Sequence, residues 1–358
     1  MILTRYLYFK DEVKYSFIYS ILEKVNFKEV LFWFSEIYYS DYGEESWQML
    51  FEIYYNFYAS KNPKLETTFV KMYKKWKETN KVEFCLHVLK NLFYNSYKSS
   101  ICYENFLKME TQKTQTKSYR GRPPSWLKDL NYTKKFKNLI LSIHHKHFTN
   151  IIYYFNRFKD EKEEIYNHIL EYFGKIKKIS IKTKDYSKIK NSPYNNKKHI
   201  LLALLIHLYL DEKEINTRSI HLLITKEELK FVEETNKYSG KLYKILKAKR
   251  LFQIKQNIGY FPLERFNFES PNKILWDYWE YYAYNSPLWK KRLDKYNIEV
   301  DHSLKKIIFK NPDEEDEFYE LYNYEPDEQD LPTQEKSIST IKKIDHNSFI
   351  SIISNNGS

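Results

Sequence analysis

The chain has 358 residues, a formal net charge of +12 from 59 Lys and Arg against 47 Asp and Glu, and 34 Tyr, 24 Phe and 7 Trp beside only 6 Gly. Phosphate cradles, tight hairpins and strained nucleophile turns demand glycine, whereas aromatic side chains are large packing anchors, so this balance points to packed helices rather than loop-built catalysis. Two cysteines, Cys85 and Cys102, are too few for a disulfide framework or a cysteine-rich zinc site, and no stretch reaches the roughly 20 apolar residues of a membrane span.

From Asp11 to Asn95 five helical patterns follow one another. Val13, Phe17, Ile18, Ile21, Leu22 and Val25 recur at helical spacing, and Val30, Leu31, Phe34, Ile37 and Tyr38 do so over Phe27 to Tyr39. A break at Ser40 to Gly43 precedes a helix with Trp47, Leu50, Phe51, Tyr54 and Phe57. Asn62 and Pro63 then stand where a helix starts, before Leu65, Phe69, Met72 and Trp76, and Val82 to Phe93 completes the set. Short connections imply antiparallel neighbours, so residues 1–97 read as a helical bundle or short helical array, although no repeat signature recurs.

Residues 98–122 lose the apolar period and read as a basic linker. A second helical region, 123–312, opens with Phe136, Leu139, Ile140, Ile143, His147, Ile151 and Phe155 on one face. Within it, 197–266 has the order of a winged helix. The apolar helix Ile200 to Leu210 is followed by one opened by Thr225 with Glu228 three residues later, a capping-box pattern. The basic helix Lys241 to Arg250 and two alternating runs around Asn257, Ile258 and Gly259, read as a small hairpin, complete the order. Between 313 and 330 stand ten carboxylates and no Lys or Arg, so 313–358 reads as an acidic and disordered tail, the disorder expected over 325–358, that leaves the rest of the chain more basic than the whole.

Candidate sites follow from charge and aromatic rings. Arg120, Gly121, Arg122 and Pro123 resemble the core of an AT-hook, in which two guanidiniums enter a narrow, negative minor groove; the same residues also suit an ordinary helix entry before Trp126. Lys241, Lys244, Lys247, Lys249 and Arg250 would contact phosphate if the winged-helix reading holds, and are otherwise a solvated helix face. Trp276, Trp279 and Trp289, beside Lys290, Lys291 and Arg292, would anchor a protein partner or stack bases, or else fill a core. His144 and His147, three apart, supply at most two metal ligands, so no metal is assigned. With no phosphate loop, nucleophile elbow, His-Glu-x-x-His or dinucleotide fingerprint in the chain, no catalytic residue and no cofactor are assigned either.

The opening from Ile2 to Tyr8, the stretch from Tyr119 to Trp126, the Trp279 to Trp289 stretch (WEYYAYNSPLW) and the Glu315 to Glu328 stretch (EDEFYELYNYEPDE) resemble a group of uncharacterised proteins from nucleocytoplasmic large DNA viruses. The resemblance runs to about residue 330. It implies a protein made in infected cytoplasm and transfers no activity or site. Taken together, a mainly α, soluble, cytoplasmic and non-secreted scaffold or adaptor is expected, presenting basic surface to an acidic partner. The alternative is a DNA- or RNA-binding accessory factor that uses the winged-helix-like unit and the AT-hook-like linker.

Overall fold

The computed structural model describes residues 2–24, 26–97, 125–128, 133–147, 150, 151, 153, 154, 169, 192–207, 221–236 and 278–322. Among them the fold is mainly α, with one two-stranded antiparallel hairpin. The five expected N-terminal helices are present: α1 (Lys10–Leu22), α2 (Phe27–Tyr38), α3 (Gly43–Ile53), α4 (Leu65–Thr79) and α5 (Glu83–Tyr94). Asn26 caps α2 by accepting the Lys28 N–H at 2.8 Å, the usual role of a short polar side chain before a helix.

With so little glycine, left-handed backbone positions fall to other residues. Lys24 after α1 has φ 50°, Asp41 after α2 has φ 74° and Asn80 after α4 has φ 54°. A β-carbon in this region costs roughly 1–2 kcal/mol, which glycine avoids. Lys24→Gly is therefore expected to stabilise the protein by about 0.5–1 kcal/mol in urea unfolding, the gain being trimmed by the greater freedom of glycine in the unfolded chain.

The described residues divide into two compact units, each assembled from pieces distant in sequence. The first draws on 2–50, 72–94, 221–236 and 278–322. Its helical core packs α1 against α2 through buried Val13, Phe17, Ile21, Leu31 and Phe34, with Phe17 and Phe34 rings 5.7 Å apart. Residues 2–9 form a hook closed by the Leu3 to Phe9 bridge and turned at Leu7, whose φ is 60°.

The same unit contains α9 (Lys226–Asn236), α10 (Trp279–Tyr284), α11 (Pro287–Leu293), β1 (Ile298–Asp301), β2 (Lys306–Phe309) and α12 (Pro312–Tyr322). Thr225 and Glu228 make the expected capping box before α9: the Glu228 N–H donates to Thr225 Oγ1 at 3.2 Å and the Thr225 N–H to Glu228 Oε2 at 2.7 Å. The hairpin pairs Ile298 with Phe309 and Asp301 with Lys306. Its turn is set by Asp301 Oδ1, which accepts from the Ser303 and Leu304 N–H groups at 2.8 and 2.9 Å, and these bonds with the Ser303 hydroxyl hold the carboxyl below its usual range. This hairpin was not expected from sequence. The expected one, at 257–259, lies outside the described residues.

Residues 313–322, the start of the acidic tail, form α12, while 325–358, expected to be disordered, lies outside the described residues. Asp313, Glu314 and Glu315 sit in its first turn, where carboxylates favour the positive end of the helix dipole, and Asn311 Oδ1 accepts the Asp313 N–H at 3.0 Å. Phe318 and Tyr322 face inward. They close an aromatic core with Trp279, Trp289 and Phe309, in which the two indoles meet edge to face at 5.3 Å.

The second unit comprises the described residues of 51–71, 95–97 and 125–207. The end of α3 widens into a π turn over Tyr54–Tyr58, closed by the Ala59 N–H donating to the Tyr54 carbonyl five residues back at 2.8 Å. The unit also holds α6 (Ser125–Lys128), α7 (Lys134–His144) and α8 (Lys197–His207). At the end of α7 the chain turns left-handed at Lys146, φ 54°. His147 therefore leaves the helix and does not continue the apolar face of Phe136, Leu139, Ile140 and Ile143 as expected.

Candidate functional site: a lysine face beside buried polar networks

Two polar networks lie inside the units, and both are spent on the fold. In the first unit the hook 2–9 lacks a full ladder, so its backbone groups take partners from side chains. The Tyr6 N–H donates to Glu36 Oε1 at 3.0 Å, the Arg5 N–H to Ser40 Oγ at 2.8 Å and the Leu3 N–H to Ser286 Oγ at 2.7 Å. Trp289 Nε1–H donates to the Thr4 carbonyl at 2.9 Å. Arg5 Nε meets Glu36 Oε2 at 2.9 Å, and the guanidinium lies over the Tyr6 and Tyr39 rings. Nearby, Arg292 is buried between the Trp289 and Tyr322 rings, and burial pulls its pKa down to about 10.

The second network surrounds the π turn. Tyr194 Oη lies 2.6 Å from His199 Nδ1, Asn56 Nδ2 3.4 Å from the same nitrogen and Asn196 Nδ2 3.2 Å from Nε2. Tyr55 stacks on Tyr194 at 5.3 Å and donates from its hydroxyl to Glu66 Oε1 at 2.7 Å. Lys197 Nζ donates to the Ser192 and Tyr194 carbonyls at 2.6 and 2.9 Å, and burial lowers its pKa. A buried histidine held on both ring nitrogens, among stacked rings, is fixed in place rather than poised to meet a substrate.

Accessible charge is found on α4. Trp76 is buried, donates from Nε1 to Tyr38 Oη at 3.0 Å and packs against Trp47 at 6.0 Å. The fit is close: a β-carbon at Gly43 would stand 3.1 Å from the Trp76 ring. Tyr73 donates to Glu44 Oε1 at 2.8 Å. With Tyr73 and Trp76 holding the inner face, Lys74, Lys75 and Lys81 are exposed and form no ion pair with the described residues. Lys77 pairs with Glu44, and that bond raises its pKa. The arrangement supplies positive charge on a helix held by its inner aromatic face.

Of the residues expected from sequence, Arg120, Arg122, Lys241, Lys244, Lys247, Lys249, Arg250 and Trp276 lie outside the described residues. Trp279 and Trp289, expected as anchors for a partner, are 1% and 0% exposed and belong to the aromatic core of the first unit. Their neighbours are engaged as well: Lys290 bonds Asp294, Lys291 bonds Asp41 and Arg292 is buried. No group of three or more His, Cys, Asp or Glu suited to a metal occurs among the described residues. Cys85 is a free, fully buried thiol whose pKa burial pushes well up. Among the described residues no helix is long and apolar enough to cross a membrane.

The α4 lysines were missed in the sequence, although the signal was present. Leu65, Phe69, Met72, Tyr73 and Trp76 mark one side of a helical wheel, with Lys74 across from it and Lys75 at its flank. Compared with protein-family models, with curated proteins and with solved structures, the chain matches none.

Proposed function

We propose that the protein is a non-catalytic helical scaffold that presents a lysine face to an acidic protein partner. The observation that carries this reading is exposed Lys74 and Lys75 on α4 and exposed Lys81 just after it, none in an ion pair with the described residues, with the inner side of α4 fixed by Trp76. The surplus of positive charge over the whole chain strengthens long-range attraction to such a partner. Expression in infected-cell cytoplasm belongs to the same proposal and rests on the sequence resemblance alone.

The test is binding to poly-glutamate and to a mixed-sequence DNA duplex at 50 and 200 mM salt, with wild type and the Lys74→Glu/Lys75→Glu/Lys81→Glu variant. Wild type should bind poly-glutamate in a salt-dependent manner, and the variant should bind it at least about tenfold more weakly, since three attractive contacts become repulsive at about 1 kcal/mol or less each. Equal affinity of the two proteins refutes the reading. Tight duplex binding that survives the triple change favours the nucleic-acid alternative, through residues other than these.

A further inference from the structure

In the first unit, α5 holds an extended segment of the same chain by its backbone. Asn91 accepts the Leu222 N–H on Oδ1 at 2.9 Å and donates from Nδ2 to the Leu222 carbonyl at 2.8 Å, so one side-chain amide grips both groups of one residue. One turn earlier on the helix, His87 Nδ1 accepts the Ile224 N–H at 3.0 Å. Neither contact involves a side chain of the segment, and Leu223 between them is 71% exposed. The segment 221–225 is a strap whose backbone is gripped by two residues of α5, while the side chains of Leu222 and Ile224 are half-buried.

A backbone N–H has no lone pair, so the nitrogen that accepts it must be unprotonated. His87 is therefore neutral when the strap is docked, with its proton on Nε2 facing Glu83 Oε1 at 3.4 Å. We propose that His87 and Asn91 form an acid-released clamp on the 221–225 strap, closed while His87 is neutral and opened when Nδ1 takes a proton. Protonation sets the Nδ1–H against the Ile224 N–H, donor facing donor, and removes half of the clamp.

The groups around the imidazole act in the same direction on balance. Burial and the cations Lys75 on α4 and Lys90 on α5 disfavour the charged form, Glu83 favours it, and the net effect lowers the pKa of His87 below its ordinary 6.5. Lys90 is in turn paired with Glu228 of α9 at 2.8 Å, and His221 at the start of the strap is exposed. A depressed histidine pKa makes docking fully favourable above pH about 6.5 and weakens it as the pH falls through the depressed value. The Lys90 to Glu228 pair and the Thr225 capping box tether the far end of the strap to α5 and α9.

Hydrogen exchange of the full-length protein between pH 7.5 and 5.0, corrected for intrinsic exchange, tests the clamp. The protection of 221–225 relative to α2 should fall about tenfold per pH unit once His87 titrates, because each unit changes the neutral fraction tenfold. In His87→Gln, where an amide oxygen stands in for the nitrogen, that ratio should not change with pH. An unchanging ratio in wild type overturns the proposal whether or not the variant folds. The same fall in His87→Gln overturns it too, by assigning the effect to another group.

Discussion

Trp289→Ala should cost about 3–5 kcal/mol in urea unfolding, the range for emptying a large aromatic site in a core. The indole meets Trp279, Phe318 and Tyr322, and it also donates to the Thr4 carbonyl at 2.9 Å. Its removal thus opens a cavity and takes from the buried Thr4 carbonyl one of its two donors, leaving the Leu7 N–H at 2.9 Å, so the cavity carries most of the loss. Trp289→Phe separates the two effects, since it fills much of the space but has no N–H; an intermediate loss of about 2 kcal/mol is expected. A loss below about 1 kcal/mol for the alanine variant would show that the hook 2–9 and the 279–322 core do not hold each other.

Breaking the Arg5 to Glu36 pair should cost a similar amount. Glu36 is fully buried, and Glu36→Leu leaves the Arg5 guanidinium without its counter-charge and the Tyr6 N–H without its acceptor, for an expected loss of about 3–5 kcal/mol. Glu36→Gln restores an acceptor but not the charge and should cost less. Replacing both members with apolar residues, Arg5→Met with Glu36→Leu, is commonly neutral for a buried pair. Here it should remain destabilising, because the buried Tyr6 N–H still loses its acceptor. Urea midpoints of the four proteins check the order.

The local architecture is largely legible in the sequence. The N-terminal helices lie where their apolar periods place them, and the Thr225 to Glu228 capping box is closed as its spacing predicts, because both signals are carried by residues within one or two turns. The hairpin at 298–309 escaped because each strand has four residues, too short for alternation to stand out from chance. The acidic helix α12 escaped because its carboxylate run dominates its composition, while the two residues that fix it, Phe318 and Tyr322, become informative only once their core is known. Contacts such as Leu3 to Ser286 leave no local trace at all.

The candidate site divides the same way. Aromatic residues near Lys290 to Arg292 look like a recognition patch in the sequence, but Trp279 and Trp289 need apolar neighbours from α12 and β2 and find them inside the chain. Under the proposed function, recognition would fall to charge that the core does not consume, such as Lys74 and Lys75 of α4. The most direct measurement is hydrogen-exchange footprinting with and without poly-glutamate at low salt. Added protection is expected over 72–81, with the hook 2–9 and the π turn 54–58 unchanged. Protection confined to any other segment, with 72–81 unaltered, would contradict the proposed function.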